Sequence, residues 1–238
     1  MRTPAPYAVL FDFGGVLTSS VLEAFAAFGE SLGDRHLPLR LLSQDPEGKQ
    51  LLVDHEEGRL SHAGFEAGYA ERLRAHGVEV EADGLIARMQ DRMLPDPAMV
   101  ELVADLRAQG RPVGLLSNSF GDDCYRGFDL AQMFDAVTIS AEIGVRKPSR
   151  RAYLAACERL GTPPEVTVMV DDLAHNLDAA ARVGMPGVIH REAQRTRREL
   201  QTLLGPVPAA GRNGSTSTST ASTTPTVGGH VVAGTPDR

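Results

Sequence analysis

Polar residues that could do chemistry follow directly after short apolar runs of the chain. The first is Asp12, which comes after the run at residues 7–11 and is followed closely by Gly14 and Gly15. A carboxylate beside a glycine-rich turn, whose amides can face an anion, is suited to attack a phosphoryl group as a nucleophile. The same aspartate could instead cap its own backbone in a turn.

Two later runs are followed by groups that could bind the oxygens of a phosphate. Ser117 and Asn118 could hydrogen-bond phosphate oxygens without adding charge, or they could simply cap a helix. Lys147 is followed by a proline, which restricts the path of the chain at this point. The charge of this lysine could balance the charges of a nucleophile and of phosphoryl oxygens, or it could be solvated at the surface.

A fourth run leads into two adjacent carboxylates. Asp171 and Asp172 come directly after residues 166–170, and Asn176 lies four residues beyond the pair. Adjacent carboxylates near an apolar strand end repel each other unless a cation joins them. Oxygen ligands select a hard ion, and Mg2+ is the leading candidate. The alternative is that the two acids cap the next helix and interact with its dipole.

The apolar runs themselves predict the elements that position these residues. Their length and composition indicate buried parallel strands at residues 7–11, 112–116, 136–139, 166–170 and 187–189. Helical patterns lie between them, as at residues 97–109. This alternation predicts an α/β fold with a Rossmann-like parallel sheet core and helices on both faces. Ligands bind outside the carboxyl ends of the strands in such sheets, so we expect the four motifs to meet there.

One interval interrupts the alternation and predicts an insertion. It has no convincing strand, and its helical patterns lie at residues 22–32, 65–76 and 83–93. An insertion at this point would project from the carboxyl edge of the sheet and could cover the site. The predicted organisation is an α/β core at residues 1–18 and 95–204, an inserted helical cap at residues 19–94, and a low-complexity tail at residues 205–238. We expect the tail to be disordered, because its Ser/Thr-rich composition has little apolar surface to bury.

Composition restricts the partners and the location. The 238 residues carry a formal net charge of −7, which argues against broad electrostatic binding to nucleic acid or to an anionic membrane. No run approaches the roughly 18 apolar residues of a membrane-spanning helix, and no targeting segment is evident. Cys124 and Cys157 lie far apart, which indicates reduced thiols rather than a disulfide or a zinc site. We expect a cytoplasmic monomer or homodimer that binds a small ligand.

In their order along the chain, the four motifs resemble those of the haloacid dehalogenase-like (HAD) hydrolase superfamily, over about residues 7–192. The chain is most similar to capped phosphatases with a D-x-G first motif, including bacterial sugar-1-phosphate phosphatases. It also resembles the N-terminal phosphatase domain of soluble epoxide hydrolases, whose paired acids are likewise followed four residues later by Asn. The segment HEEGRLSHAGF is similar to the helical cap of that group.

The resemblance implies a metal-dependent reaction through an aspartyl-phosphate. Asp12 would attack phosphorus, and Mg2+ would be bound by Asp12, the Gly14 carbonyl and Asp172. Asp171 would support the waters of the metal, and Asn176 would orient the lysine or the acid pair. These assignments come from the family and are expectations for this chain.

The resemblance also implies a set of groups that hold a small phosphorylated substrate. Ser117 and Asn118 would bind the transferring phosphoryl group together with the backbone amides of Phe13 and Gly14. Lys147 would balance the charge. Catalysis of this kind depends mainly on positioning and electrostatics.

The chain departs from many family phosphatases at Gly14, where they have a second aspartate. That aspartate protonates the leaving oxygen and later activates water, and such acid–base help contributes about 100-fold to 10,000-fold in rate. The departure predicts either a good leaving group, as in an anomeric sugar phosphate or an acyl phosphate, or a replacement acid from the substrate or the cap. His55, Glu56 and Glu57 are the candidates in the cap turn.

The leading interpretation is a Mg2+-dependent phosphatase acting on a small phosphorylated metabolite. One alternative is a haloacid dehalogenase-type hydrolase that uses Asp12 on carbon. The carboxylate pair weighs against it, because displacement at carbon needs no metal and paired acids would repel a carboxylate substrate. The other alternative is a non-catalytic HAD-like binding or regulatory domain. Retention of Asp12, Lys147 and Asp172 in register argues against that alternative.

Overall fold

The computed structural model describes residues 5–121 and 123–207, and its centre is a five-stranded parallel sheet. The strand order is β3-β2-β1-β4-β5, with every pair parallel. The strands are β1 (Ala8–Phe11), β2 (Val113–Ser117), β3 (Ala136–Ile139), β4 (Thr167–Asp171) and β5 (Gly187–Ile189). The sheet confirms the predicted α/β class.

Helices connect the strands and fill the interval after β1. Six of them, with the strands they join, build the α/β part: α6 (Pro97–Ala108), α7 (Leu130–Met133), α8 (Ser140–Ile143), α9 (Arg150–Leu160), α10 (Ala174–Ala181) and α11 (Ala193–Leu203). Five more lie between β1 and α6: α1 (Val21–Ser31), α2 (Leu37–Ser43), α3 (Pro46–Glu56), α4 (His62–Ala75) and α5 (Leu85–Gln90).

The central strand shows why both faces of the sheet are covered. All four residues of β1 are buried, as expected of a strand with helices on either side. Successive side chains point to opposite faces, so Val9 and Phe11 pack with residues of α6 and α11, whereas Leu10 packs with residues of α9 and α10. The apolar run in the sequence is thus shared between two hydrophobic layers.

The predicted strands agree with the structure to within one residue at each end, and the shifts have local causes. Pro112 precedes β2 because it has no N–H to donate to a neighbouring strand. Val166 belongs to a short 3-10 turn at Pro164–Val166, so β4 begins one residue later. Helix α6 begins where Asp96 accepts hydrogen bonds from the N–H groups of Ala98 and Met99, as an N-cap residue does.

The segment between β1 and α6 has a hydrophobic cluster of its own. Apolar residues of α1, α2, α4 and α5 pack together there, including Phe25, Leu41, Phe65 and Tyr69. The sequence pattern did not predict α2 or α3, and α5 is shorter than the helix predicted at residues 83–93. The two chain connections of the segment pair with each other: the Ser19 N–H donates to the Leu94 carbonyl at 2.7 Å.

Some expectations fall on residues that the structure does not describe. Residues 1–4, 122 and 208–238 are outside the described part, and they include nearly all of the predicted tail. The disorder of that tail stays a prediction. Among the described helices, none combines the length and the hydropathy needed to cross a bilayer.

Candidate active site

The sheet topology brings three of the motifs to one place. β1 lies between β2 and β4. From β1 the chain continues to β2 and β3 on one side of the sheet, and it then crosses to β4 and β5 on the other side, which makes β1 the switch point. Asp12 follows β1, while Ser117 and Asp171 are the last residues of β2 and β4. A crevice at the carboxyl edge of this switch point is where open α/β sheets bind ligands.

A buried lysine joins the first and the last motif. The Nζ atom of Lys147 lies 2.7 Å from Oδ1 of Asp12 and 2.8 Å from Oδ2 of Asp171, and the side chain is only 1% exposed. Burial alone would lower the pKa of Lys147, but the charges of Asp12 and Asp171 outweigh burial and raise the pKa above its usual value. The ammonium group is therefore held charged between two carboxylates, which a buried cation requires.

The carboxylates of the site exceed its positive charge. Oxygens of Asp12, Asp171 and Asp172 all lie within 4.8 Å of one another. Burial raises the pKa of Asp12 above its ordinary value. Burial and the charge of Asp171 together raise the pKa of Asp172 to about 6. The charge of Lys147 opposes both shifts. With all three carboxylates ionised, the one ammonium group leaves two negative charges unbalanced, and the donors are hard oxygens. These residues fit a divalent cation such as Mg2+.

Asp171 is fixed by neighbours rather than exposed to the crevice. It is fully buried, and the Asn176 side-chain amide donates to both of its carboxylate oxygens at 3.0 Å. The Leu173 N–H donates to Oδ1 at 2.9 Å. The hydroxyl of Tyr153 in turn donates to the Asn176 carbonyl at 2.8 Å. Asn176 therefore contacts the acid pair, through Asp171, rather than the lysine side chain.

The second motif positions the lysine. The Asn118 side chain accepts from the Lys147 N–H at 2.8 Å and donates to the Lys147 carbonyl at 3.1 Å. The Ser117 hydroxyl accepts from Tyr125 at 2.9 Å, and the Tyr125 ring packs edge-on against Phe13, with ring centroids 4.7 Å apart. The Asn118 side chain is engaged with the backbone of Lys147. If Asn118 contacts a phosphoryl oxygen, the donor would therefore be the backbone N–H of Asn118. Sequence reasoning missed Tyr125, which belongs to no recognisable motif.

The turn after Asp12 depends on its two glycines. Gly15 has φ +75°, and a Cβ there would collide with Oδ2 of Asp172, so only glycine fits. A Cβ on Gly14 would lie 2.6 Å from a methyl carbon of Val21. Val21 thus occupies the space where the side chain of a second aspartate would begin.

The predicted site residues, with the exception of the fully buried Asp171, line one cavity of about 610 Å³. The inserted helices supply much of the remaining wall. Of the three candidate replacement acids, Glu56 lines this cavity and His55 and Glu57 do not. The ring of His55 is engaged with the backbone, accepting at Nε2 from the Gly121 N–H at 3.1 Å, and Glu57 forms an ion pair with Arg59.

Glu56 forms an ion pair with Arg146 on the cavity wall, where Glu56 is buried and the Arg146 side chain is 25% exposed. Oε2 of Glu56 lies 2.5 Å from Nε of Arg146 without meeting hydrogen-bond geometry, and neither atom has a hydrogen-bond partner in the described part of the chain. Glu56 is 8% exposed. Burial raises the pKa of Glu56 to about 7, against the opposing charges of Arg146 and, at longer range, Lys147; Glu57 raises it further.

The fold and the four motifs define a hydrolase with a Rossmann-like core of the kind that the sequence resembles, and comparison with known proteins identifies its family. A family model described as haloacid dehalogenase-like hydrolase matches residues 7–184. The chain belongs to the haloacid dehalogenase-like hydrolase family.

Similar proteins include several named as phosphatases. The chain is 32% identical over 114 residues to the sesquiterpene phosphatase astK of Aspergillus oryzae, a match that covers 47% of this chain and 58% of that protein. It is 26% identical over 204 residues to a phosphoglycolate phosphatase of Shigella dysenteriae, covering 76% and 79%. The chain spans between 10% and 60% of the lengths of four curated relatives, astK among them.

A solved structure supports the fold. The magnesium complex of the HAD family enzyme bt-2542 from Bacteroides thetaiotaomicron superimposes with a TM-score of 0.61 and 22% identity, covering 79% of this chain and 94% of that one. At this identity the likeness concerns the fold alone.

Proposed function

We propose that the chain is a Mg2+-dependent phosphatase that hydrolyses a small phosphorylated metabolite through an aspartyl-phosphate on Asp12. The observation that carries the proposal is the buried lysine between Asp12 and Asp171, with Asp172 beside them, at the switch point of the sheet. Relatives named as phosphatases for substrates as different as phosphoglycolate and a sesquiterpene phosphate support the reaction type.

The metal would be bound by Asp12, the Gly14 carbonyl and Asp172, whereas the fully buried Asp171 would act through Lys147, which it contacts at 2.8 Å, rather than on the waters of the metal. Bound there, a divalent cation would balance the excess negative charge of the site and polarise phosphoryl oxygens. Lys147 would favour the ionised form of Asp12 against the effect of burial and would orient the carboxylate, because its ammonium group lies 2.7 Å from Oδ1 of that residue. Asn176 would hold Asp171 in the position that keeps the lysine in place.

Asp12 would act as the nucleophile. Its free carboxylate oxygen would form a bond to phosphorus while the ester P–O bond breaks, and the electron pair would leave with the organic oxygen. The Gly14 amide, the Ser117 hydroxyl and the backbone N–H of Asn118 would bind the phosphoryl oxygens. The Phe13 N–H, which the family resemblance also assigned to phosphate, donates to Oδ1 of Asp12 at 2.7 Å and would orient the nucleophile instead. Water would then attack phosphorus, releasing inorganic phosphate and restoring Asp12.

Glu56 would supply the acid that Gly14 cannot. Among the described cavity-lining residues the carboxylates are Asp12, Asp172 and Glu56, and the first two have other roles. A protonated Glu56 would give its proton to the leaving oxygen and recover one from the attacking water. Its pKa of about 7 would let it do both near neutral pH.

Residues 19–94 would form a cap over this site, and residues 1–18 and 95–204 the α/β core. The separate hydrophobic cluster of the inserted helices supports that division. So does the pairing of the two connections at Ser19 and Leu94. Helices α1, α2 and α3 place side chains in the wall of the cavity that holds Asp12.

The test is hydrolysis of p-nitrophenyl phosphate by the full chain with Mg2+, with EDTA, and after Asp12→Asn. We expect metal-dependent release of p-nitrophenol that EDTA and Asp12→Asn reduce to background. Asp91→Asn is the matched control, because Asp91 is exposed and lies outside the cavity wall. A folded wild-type protein without metal-dependent activity would overturn the proposal, and halide release from a 2-haloacid would point to the dehalogenase alternative.

A further inference from the structure

The cavity that holds Asp12 combines polar groups at the carboxyl edge of the sheet with a large number of apolar side chains. The inserted helices and the turns beside them line it with aliphatic and aromatic side chains: Val21, Leu22, Phe25, Leu39, Leu42, Leu52 and Met93. The groups proposed for phosphate binding lie at the carboxyl edge of the sheet, where Val21 and Met93 also approach Gly14. The polarity of a bound ligand must match the polarity of the wall that it contacts.

Several polar side chains in the inserted part of the wall are already engaged with protein atoms. Gln90 donates to the Phe120 carbonyl at 2.6 Å, and the Ser43 hydroxyl donates to the Leu39 carbonyl at 2.6 Å. Glu56 forms an ion pair with Arg146, whereas Lys49, which also lines this part of the wall, is exposed. Beyond Lys49, the hydroxyl groups of a sugar would lose water at this wall and find few partners, which is unfavourable.

We infer that the substrate is a phosphate monoester with a mainly apolar organic group, such as a medium-chain alkyl or an aryl phosphate, rather than a sugar phosphate or a nucleotide. The inference rests on the proposed phosphatase function and adds the substrate class. A volume of about 610 Å³ holds on the order of 20 water-sized groups at about 30 Å³ each. After a phosphate, roughly 15 non-hydrogen atoms of organic group remain.

The test compares primary alkyl phosphates from ethyl to octyl with glucose 6-phosphate. These esters all leave as primary alcohols, so differences in kcat/KM report on binding of the organic group. Each methylene buried against the apolar wall is worth about 0.8 kcal/mol, which is about fourfold. We expect kcat/KM to rise by about fourfold per methylene until the cavity is filled, and hexyl phosphate to exceed glucose 6-phosphate. A flat series, or glucose 6-phosphate equal to hexyl phosphate, would overturn the inference.

A pair of matched leucine variants tests whether this wall is responsible. Leu22 lines the cavity and is 46% exposed, whereas Leu154 lies on α9, outside this cavity, and is 44% exposed. We expect Leu22→Ser to reduce the octyl-to-ethyl ratio of kcat/KM by about threefold or more, and Leu154→Ser to leave the ratio unchanged. Equal ratios in both variants would count against the inference.

Alkyl phosphonates separate this inference from the proposed function, because the enzyme cannot hydrolyse their C–P bond in the proposed way. Calorimetric titration of the full chain with ethyl and octyl phosphonate, in the presence of Mg2+, measures binding without catalysis. We expect the octyl compound to bind far more tightly. Hydrolysis of p-nitrophenyl phosphate together with chain-length-independent phosphonate binding would overturn the substrate class and leave the phosphatase proposal intact. Chain-length-dependent binding without any hydrolysis would overturn the phosphatase proposal alone.

Discussion

Replacing Glu56 with glutamine removes the ionisable carboxyl that the end of α3 places in the cavity, while keeping the shape of the side chain. Under our proposal this carboxyl protonates the leaving oxygen. Acid catalysis of that kind contributes about 100-fold to 10,000-fold, and the contribution is largest when the departing alcohol is a poor leaving group. We therefore expect Glu56→Gln to lower kcat for an alkyl phosphate by at least about 100-fold and kcat for p-nitrophenyl phosphate by less than about tenfold.

The pH dependence gives a second readout of the same change. The active form of the acid is protonated, and burial raises the pKa of Glu56 to about 7. The activity of the wild type on alkyl phosphates should therefore fall as the pH rises through about 7, and this limb should be absent from Glu56→Gln. Arg146 lies against Glu56 and lowers its pKa, so Arg146→Met should move the limb to higher pH.

The assay is steady-state kinetics on both substrates at pH values from 5 to 9, with Glu57→Gln as the control. Glu57 is the next residue, but it pairs with Arg59 and does not line the cavity, so its variant should keep the wild-type rates on both substrates. Because the charge of Glu57 raises the pKa of Glu56, the variant should keep the limb but move it to lower pH. The reasoning would be refuted if Glu56→Gln slowed both substrates equally, or if its pH profile kept the wild-type limb.

Three further predictions concern stability and the architecture of the site. In the folded state the pKa of Glu56 is raised from 4.5 to about 7. The protonated carboxyl therefore stabilises the fold fully below about pH 4.5, and this contribution is lost as the pH rises to about 7. Chemical denaturation should show the unfolding free energy of the wild type, relative to Glu56→Gln, falling by up to about 3 kcal/mol over that window. Gly15→Ala should lower the free energy of unfolding by about 1–2 kcal/mol because of the positive φ, and it should abolish activity by displacing Asp172. Gly33→Ala is the control, because Gly33 has a similar φ in open space; it should lose stability and keep activity. Asn176→Ala removes two hydrogen bonds to a buried carboxylate and should lower the free energy of unfolding by about 2–4 kcal/mol. The variant should also lower kcat more than it raises KM. An unchanged kcat would contradict the positioning role of Asn176.

The sheet and the place of its motifs were predictable because their signals are local. Parallel strands buried on both faces are continuous apolar runs, so β1 and β4 could be recognised without knowledge of their partners. Each motif then follows the end of its strand. Parallel topology places those ends at one edge, which is why Asp12, Ser117 and Asp171 meet as expected.

The wall of the cavity could not be read in the same way. Whether His55, Glu56 or Glu57 faces the site depends on how α3 is rotated and where it ends, and those are set by tertiary packing of short helices such as α2. The Glu56–Arg146 pair joins residues far apart in the chain, so neither residue type nor spacing signals it. Tyr125 acts on Ser117 through a loop whose position has no sequence signature.

The most direct test of the account is covalent trapping of the enzyme on its nucleophile. The full chain is mixed with Mg2+ and p-nitrophenyl phosphate, quenched in acid within milliseconds, and examined by intact-protein and peptide mass spectrometry. The account predicts a mass increase of one phosphoryl group on the peptide that contains Asp12, sensitive to hydroxylamine as an acyl phosphate is, and absent from Asp12→Asn. Rapid turnover with no phosphorylated protein at any quench time, or a phosphoryl group on another residue, would contradict it.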